Sequence, residues 1–166
     1  MTGNSIIYGD RTFTNLDVKE GRTTSERSPI GDVLTIDTLE FDVVSDDTTL
    51  TDFIRNTPLI FFHDDEQMGI FYVQKISRTS INTYHFACTS TVGLLDETYH
   101  DGGIYTGETV KEVCEDICSP LTVYVKTNLQ NIKLYGWLPI ATRRENLTQV
   151  LFAIGATFKV DFDGAI

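Results

Sequence analysis

The chain has 166 residues, 41% of them hydrophobic and 11% aromatic, and carries a formal net charge of −11 at pH 7. Such a length suits one ordinary domain or two small ones, and such a composition builds a core, which excludes a disordered tail. The charge argues against direct nucleic-acid binding, because phosphate backbones attract Lys and Arg.

Residues 1–32 are polar and rich in Thr, Ser, Arg and Gly, and read as a loop-rich lead-in with one edge strand near Ser5–Tyr8. From Leu39 the pattern turns to period two: Leu39, Phe41 and Val43 alternate with Glu40 and Asp42, which predicts a strand with one buried face. Leu34 and Ile36 fall on the other parity, so a bulge or break is expected near Asp37–Thr38. Leu59-Ile60-Phe61-Phe62, preceded by Pro58, reads as a strand buried on both faces or lying at a subunit contact. A polar turn at His63–Gln67 leads into Gly69–Ser77, and a second turn at Thr79–Ser80 into Ile81–Thr89, where Tyr84, Phe86 and Cys88 share a face. Together these predict an antiparallel meander, completed into a small sheet or barrel by the acidic Leu39–Val44 strand.

After residue 90 the character changes. Val92–Leu95 predicts a short turn or helix, which Gly102-Gly103 breaks. Thr109 and Glu112 are placed as a capping box, and Val110, Val113, Cys114 and Ile117 recur at helical spacing up to Pro120. Leu121, Val123 and Val125 predict a strand, and Ile132 and Leu134 another. A second helix is punctuated by Thr142 and Glu145 as a capping box and by Gly155 as its stop, with Leu147, Val150, Leu151 and Ile154 on its apolar face. Phe158, Val160 and Phe162 predict a final strand, and Asp163-Gly164 a hairpin turn. No returning strand follows that turn, which suggests a piece of a longer protein. The expected fold class is therefore α+β. An antiparallel β-barrel-like sheet fills residues 1–100, with the lead-in at 1–32. A smaller helix-strand-strand-helix-strand unit, truncated at its C-terminus, fills 101–166.

Candidate chemistry is sparse. Apolar runs such as Leu59–Phe62 are too short to cross a bilayer, and Met1–Ile7 lacks the pattern of a signal peptide, so neither membrane insertion nor export is expected. Three cysteines without CxxC spacing argue against a disulfide framework or a zinc site. Cys114 and Cys118 look ligand-like but continue an apolar helix face, and Cys88 shares its face with Phe86, so all three read as buried small hydrophobes. His63-Asp64-Asp65-Glu66 gathers a base and three carboxylates, yet it lacks the spacing and glycine of a calcium loop and sits where a hairpin needs polar residues. His85 and His100 have no nucleophile in a recognisable context. No cofactor, no metal and no catalytic residue are expected. Tyr72, Tyr84 and Tyr105 leave a carbohydrate-binding β-module open as an alternative. The acidity is uneven: the first 50 residues hold 10 Asp/Glu against 4 Lys/Arg, a surface that could repel passing DNA, face a basic partner or simply be solvated.

The run Tyr135-Gly136-Trp137-Leu138-Pro139-Ile140-Ala141-Thr142-Arg143-Arg144-Glu145-Asn146-Leu147 resembles the tail hub proteins of phages and prophages, in which a strand, a Gly-x-Leu-Pro-like turn and a Thr-Arg-Arg-Glu-x-Leu helix start follow one another. Thr38–Phe41, Gly69–Val73, Ser90–Asp96 and Gly102–Tyr105 are similar to the version found in prophages of Gram-positive bacteria, so the resemblance spans roughly residues 30–162. It implies a structural virion protein of the tail tip, made in the bacterial cytoplasm. That protein would form a homotrimeric hub in the baseplate and join the tail tube and distal tail proteins to a fibre or cell-wall-penetrating hydrolase during host cell entry. An N-terminal part of a tail-associated peptidoglycan hydrolase is the alternative. Trp137, Arg143, Arg144 and Phe61 are the candidate subunit-interface residues. The two arginines read either as exposed toward solvent or as facing an acidic patch on the next subunit. Trp137 reads either as an interface anchor or as a cover on the core.

Overall fold

The computed structural model describes residues 3–25 and 34–166. Among them the chain divides into two compact units: 3–25, Ile36–Thr91 and Phe162–Gly164 form the first, and 34–35, Val92–Asp161 and Ala165–Ile166 the second.

The first unit is one antiparallel sheet of seven strands, β1 (Asn4–Tyr8), β2 (Arg11–Thr14), β3 (Val18–Thr24), β4 (Thr38–Val44), β5 (Pro58–His63), β6 (Glu66–Ser80) and β7 (Thr83–Thr89). Its spatial order is β2-β1-β5-β6-β7-β4-β3. The two margins, β2 and β3, are joined by three residues, Asn15–Asp17. Four Cα steps span at most ~14 Å, whereas six flat inter-strand gaps would put the margins ~29 Å apart. The sheet therefore curls. Asp17 fixes the link: its carboxylate accepts from the Thr14 N–H at 2.8 Å and its carbonyl from the Val44 N–H at 2.8 Å.

Inside the curl lies an aromatic core centred on the fully buried Phe86, stacked on Phe41 (centroids 4.7 Å) with Tyr8 and Phe13 edge-on at 5.8 Å. The period-two faces Leu39/Phe41/Val43 and Tyr84/Phe86/Cys88 supply it as their alternation predicts. The described part of the lead-in is not loop-rich. Residues 4–24 hold three strands rather than one, and Ile6, Tyr8 and Phe13 are buried in the core; the part of the lead-in from 26 to 32 lies outside the described residues. Two buried apolar residues in β1, one in β2 and none in β3 suffice here, because backbone pairing to β5 and β4 does the rest. In β5, Leu59 is fully buried while Ile60, Phe61 and Phe62 are half-buried, so the strand is not buried on both faces throughout. The β5–β6 hairpin turns on Asp64 and Asp65, both left-handed (φ 48° and 66°), the two-residue geometry that matches strand twist.

The second unit contains most of α1 (Thr91–Asp96), then β8 (Tyr99–His100), β9 (Gly103–Thr109), α2 (Val110–Cys118), α3 (Thr127–Gln130), β10 (Lys133–Leu138), β11 (Ala141–Thr142) and α4 (Arg143–Ile154). β9 pairs with β10 and β8 with β11, each antiparallel. Both predicted capping boxes form, at Thr109/Glu112 and Thr142/Glu145, and Gly155 ends α4 in the left-handed conformation (φ 62°). The strands expected at Leu121–Val125 and Phe158–Phe162 do not form. Alternation sets which side chains face inward, but a strand also needs a ladder. Among the described residues, Thr122–Tyr124 pairs with one residue, Ile166, whose N–H donates to the Thr122 carbonyl (3.1 Å) and whose carbonyl accepts from Tyr124 (2.7 Å).

Candidate functional site

The α4 start is built from its own sequence. Thr142 Oγ1 accepts the Glu145 N–H (3.2 Å), and Glu145 Oε2 accepts the Thr142 N–H (3.0 Å), so two amides that the helix leaves unpaired are satisfied reciprocally. The arginines that follow are turned inward, contrary to the expectation that they face solvent or a neighbour. Arg143 donates to the carbonyls of Asp116 (3.0 Å) and Ile117 (2.6 Å), capping the C-terminal end of α2 where orphan carbonyls carry partial negative charge. Arg144 donates to Asp96 (2.8 Å) and to the Leu34 carbonyl (3.0 Å).

Beside them lies a polar cluster that single-residue reading missed. His100 is buried, its Nδ1 accepts the Gly102 N–H (3.1 Å), and its Nε2 lies 3.0 Å from Asp116 Oδ2. The Gly102 donor assigns the ring proton to Nε2, which donates toward the carboxylate. The fully buried Asn146 packs its Nδ2 3.1 Å from the same Nδ1 and donates to the Pro139 carbonyl at 3.0 Å. Gly102 (φ 69°) is required there, since a Cβ would run into the Leu138 and Pro139 carbonyls. The cluster ties β8, the Pro139 turn, α2 and α4 together. The signal in the sequence was Asn146 itself, an amide on the apolar side of a helix, which must find partners when buried.

None of this makes a reactive centre. Burial pushes the thiols of Cys88 and Cys118 up to about 12 and that of Cys114 up to about 11, so they stay protonated and behave as small hydrophobes. Among the described residues no three His, Cys, Asp or Glu side chains gather as a metal site. The His63–Glu66 run is the hairpin turn, with Asp64 Oδ1 accepting the Gly3 N–H (2.6 Å) and His63 Nδ1 2.8 Å from Asn4 Oδ1. Tyr84 lies in the core of the first unit, so it cannot present its ring to a sugar. A groove of about 620 Å³ between α2, α4 and residues 123–129 is walled by apolar groups such as Val110, Val123, Leu129 and Leu151.

What the second unit does present is the outer face of the β9–β10 pair. Trp137 stands directly opposite Ile104, and Tyr135 two residues away opposite Thr106, so all lie on one face. Ile104, Tyr135 and Trp137 are 76%, 75% and 69% exposed. The ladder shifts register between Leu134 and Tyr135, leaving Gly107 as the extra residue, and the Tyr135 ring lies across it. The Glu108 carboxylate curls back to accept the N–H groups of Thr106 (2.5 Å) and Gly107 (3.0 Å), and hydrogen bonding from its own backbone first, then from Thr106 and Gly107, holds its pKa below the usual carboxylate value. Trp137 is thus not a cover on the core. Of the other interface candidates, Phe61 packs half-buried against the core of the first unit.

No protein-family model matches the chain, and no curated protein matches it. Solved structures do. The 43 kDa tail protein of prophage MuSo2 from Shewanella oneidensis superposes with a TM-score of 0.70 over 99% of this chain and 53% of its own, at 14% identity. A tail protein from Neisseria meningitidis MC58 gives 0.74 over 98% and 48%, at 13% identity. The fold is that of prophage tail proteins. A prophage tail protein from Listeria monocytogenes EGD-e is more distant, with a TM-score of 0.50 over 90% and 45% at 10% identity. The chain spans about half the length of these proteins, and at such identities the likeness is one of fold.

Proposed function

We propose that the chain is a structural component of a phage-type tail. It acts as an oligomeric hub, a homotrimer, at the tail tip, joining the tail tube and distal tail proteins to a fibre or cell-wall-penetrating device. The observation that carries this reading is the superposition on two prophage tail proteins over 98–99% of the chain. The side chains agree with it: buried thiols, a histidine locked in a structural cluster and charged groups engaged in caps describe a scaffold, not a reaction site. In this role the chain is made in the bacterial cytoplasm and ends in the virion tail. Trp137, the interface candidate whose ring faces solvent, supplies a subunit contact.

Electron microscopy of particles from the source prophage, labelled with gold-tagged antibody to this chain, should place gold at the tail tip. Label on capsids, or particles free of the chain, would sink the proposal. A turbidity assay on purified cell walls should show no lysis by the chain. Lysis would favour the reading as part of a peptidoglycan hydrolase.

A further inference from the structure

Within the oligomer proposed above, on which this inference rests, the geometry points to the outer β9–β10 face as the surface that packs against a second copy of the chain. Three large side chains, Ile104, Tyr135 and Trp137, stand on that face in adjacent register, each more than two-thirds exposed. Exposed apolar residues of the first unit such as Leu16, Ile54 and Ile81 lie outside its strands, in links and turns, where lone apolar groups are ordinary. Aromatic side chains bury ~150–250 Å² each when covered. With Ile104 added, the face offers on the order of 400 Å² of apolar surface, about half of the ~800 Å² that a standard interface takes from each partner. Its Trp and Tyr are the residue types that anchor interface centres.

Charge selects the occupant. Each copy carries −11, so two copies repel over most of their surface, and a self-contact forms most readily where carboxylates are absent from the contact. Ile104, Thr106, Tyr135 and Trp137 carry no charge, and Lys133, on the same side of β10, is a cation in a chain that is acidic overall. A basic partner would be drawn instead to the acidic first 50 residues. The face is also held ready for contact: the Glu108 clip fixes the bulge under Tyr135, so little ordering remains on binding.

Trp137 is the only tryptophan, so its fluorescence reports on this face alone. The test follows the intact chain through a concentration series, with molecular mass by light scattering beside Trp137 emission and acrylamide quenching. As mass rises, emission should move to the blue and quenching should fall several-fold. Ile104→Asp should weaken association about tenfold or more while the monomer keeps its melting temperature, because it places a charge in the contact centre. If oligomers form while Trp137 stays fully quenchable and Ile104→Asp associates normally, this surface is wrong and the oligomeric hub survives. A chain that stays monomeric at every concentration overturns both.

Discussion

The two units solve the same problem with opposite means. The first closes a long sheet around a cluster of aromatic rings, with Phe86 touching Tyr8, Phe13 and Phe41. The second is assembled from short elements, two of them paired strands of only two residues, and is tied by polar clips: two capping boxes, an arginine on a helix end and the His100–Asn146–Asp116 cluster. A greasy core tolerates edge variation because its stability lies in buried area. A clipped assembly places surface groups accurately, because each clip has one geometry. The β9–β10 face that we assign to self-contact belongs to the second kind.

The contrast can be broken by substitution. Phe86→Ala should have the largest effect, a loss of about 3–5 kcal/mol in urea unfolding followed by the far-ultraviolet β-sheet signal, as for a large buried ring. Asn146→Ala should cost about 1–3 kcal/mol, since it strips the Pro139 carbonyl of a buried donor. If the asparagine proved as costly as the ring, the distinction between greasy and clipped units would fail. Thr142→Ala should cost about 1 kcal/mol, and Thr142→Ser much less, because the serine hydroxyl can refill the cap.

Acid should sharpen the contrast further. Hydrogen bonds from the Thr109 backbone and then its hydroxyl hold the Glu112 pKa below its ordinary 4.5. A carboxyl whose folded pKa is depressed stabilises fully above the unfolded value, and that stabilisation is lost as pH falls through the folded one. The helicity gap between wild type and Glu112→Ala should thus hold steady above about 4.5 and close below it. Asp47 caps the short 3₁₀ turn Thr48–Thr51, and the Thr49 hydroxyl, the Thr49 amide and Arg11 lower its pKa to about 2. A carboxyl-carbon NMR titration should find its midpoint near 2 rather than at 3.8. A midpoint at the ordinary value would mean that the cap is frayed in solution.

Sequence pattern was most readable where local chemistry decides structure. Thr109/Glu112, Thr142/Glu145 and Gly155 mark helix ends with side chains that reach no further than three residues, and these marks held. Period two found β4 and β7 because alternate apolar side chains of each, Leu39, Phe41 and Val43 in one and Tyr84, Phe86 and Cys88 in the other, are buried. It failed in both directions elsewhere. β3 is almost wholly exposed and exists through pairing with β4, so its side chains carry no signal. Leu121–Val125 has the alternation but lacks the ladder. The site followed the same division. The inward turn of Arg143 and Arg144 depends on carbonyls 26 to 110 residues away, and Trp137 stands exposed on a strand paired with the distant Ile104, relations that no local window contains.

The three-residue link between β2 and β3 has a consequence for how the chain is made. The first 24 residues furnish both margins of the curled sheet, yet β1 must find β5, more than 50 residues later, and β3 must find β4. During synthesis β1 and β2 can pair with each other at once, but β1 emerges before β5 and β3 before β4. The β5–β7 meander pairs neighbours in sequence, so it is expected to condense before the two margins are laid onto it, an order that pulse-labelled hydrogen exchange during refolding checks. The margin strand β3, with Val18 as its one apolar residue, is suited to waiting in water until β4 is available.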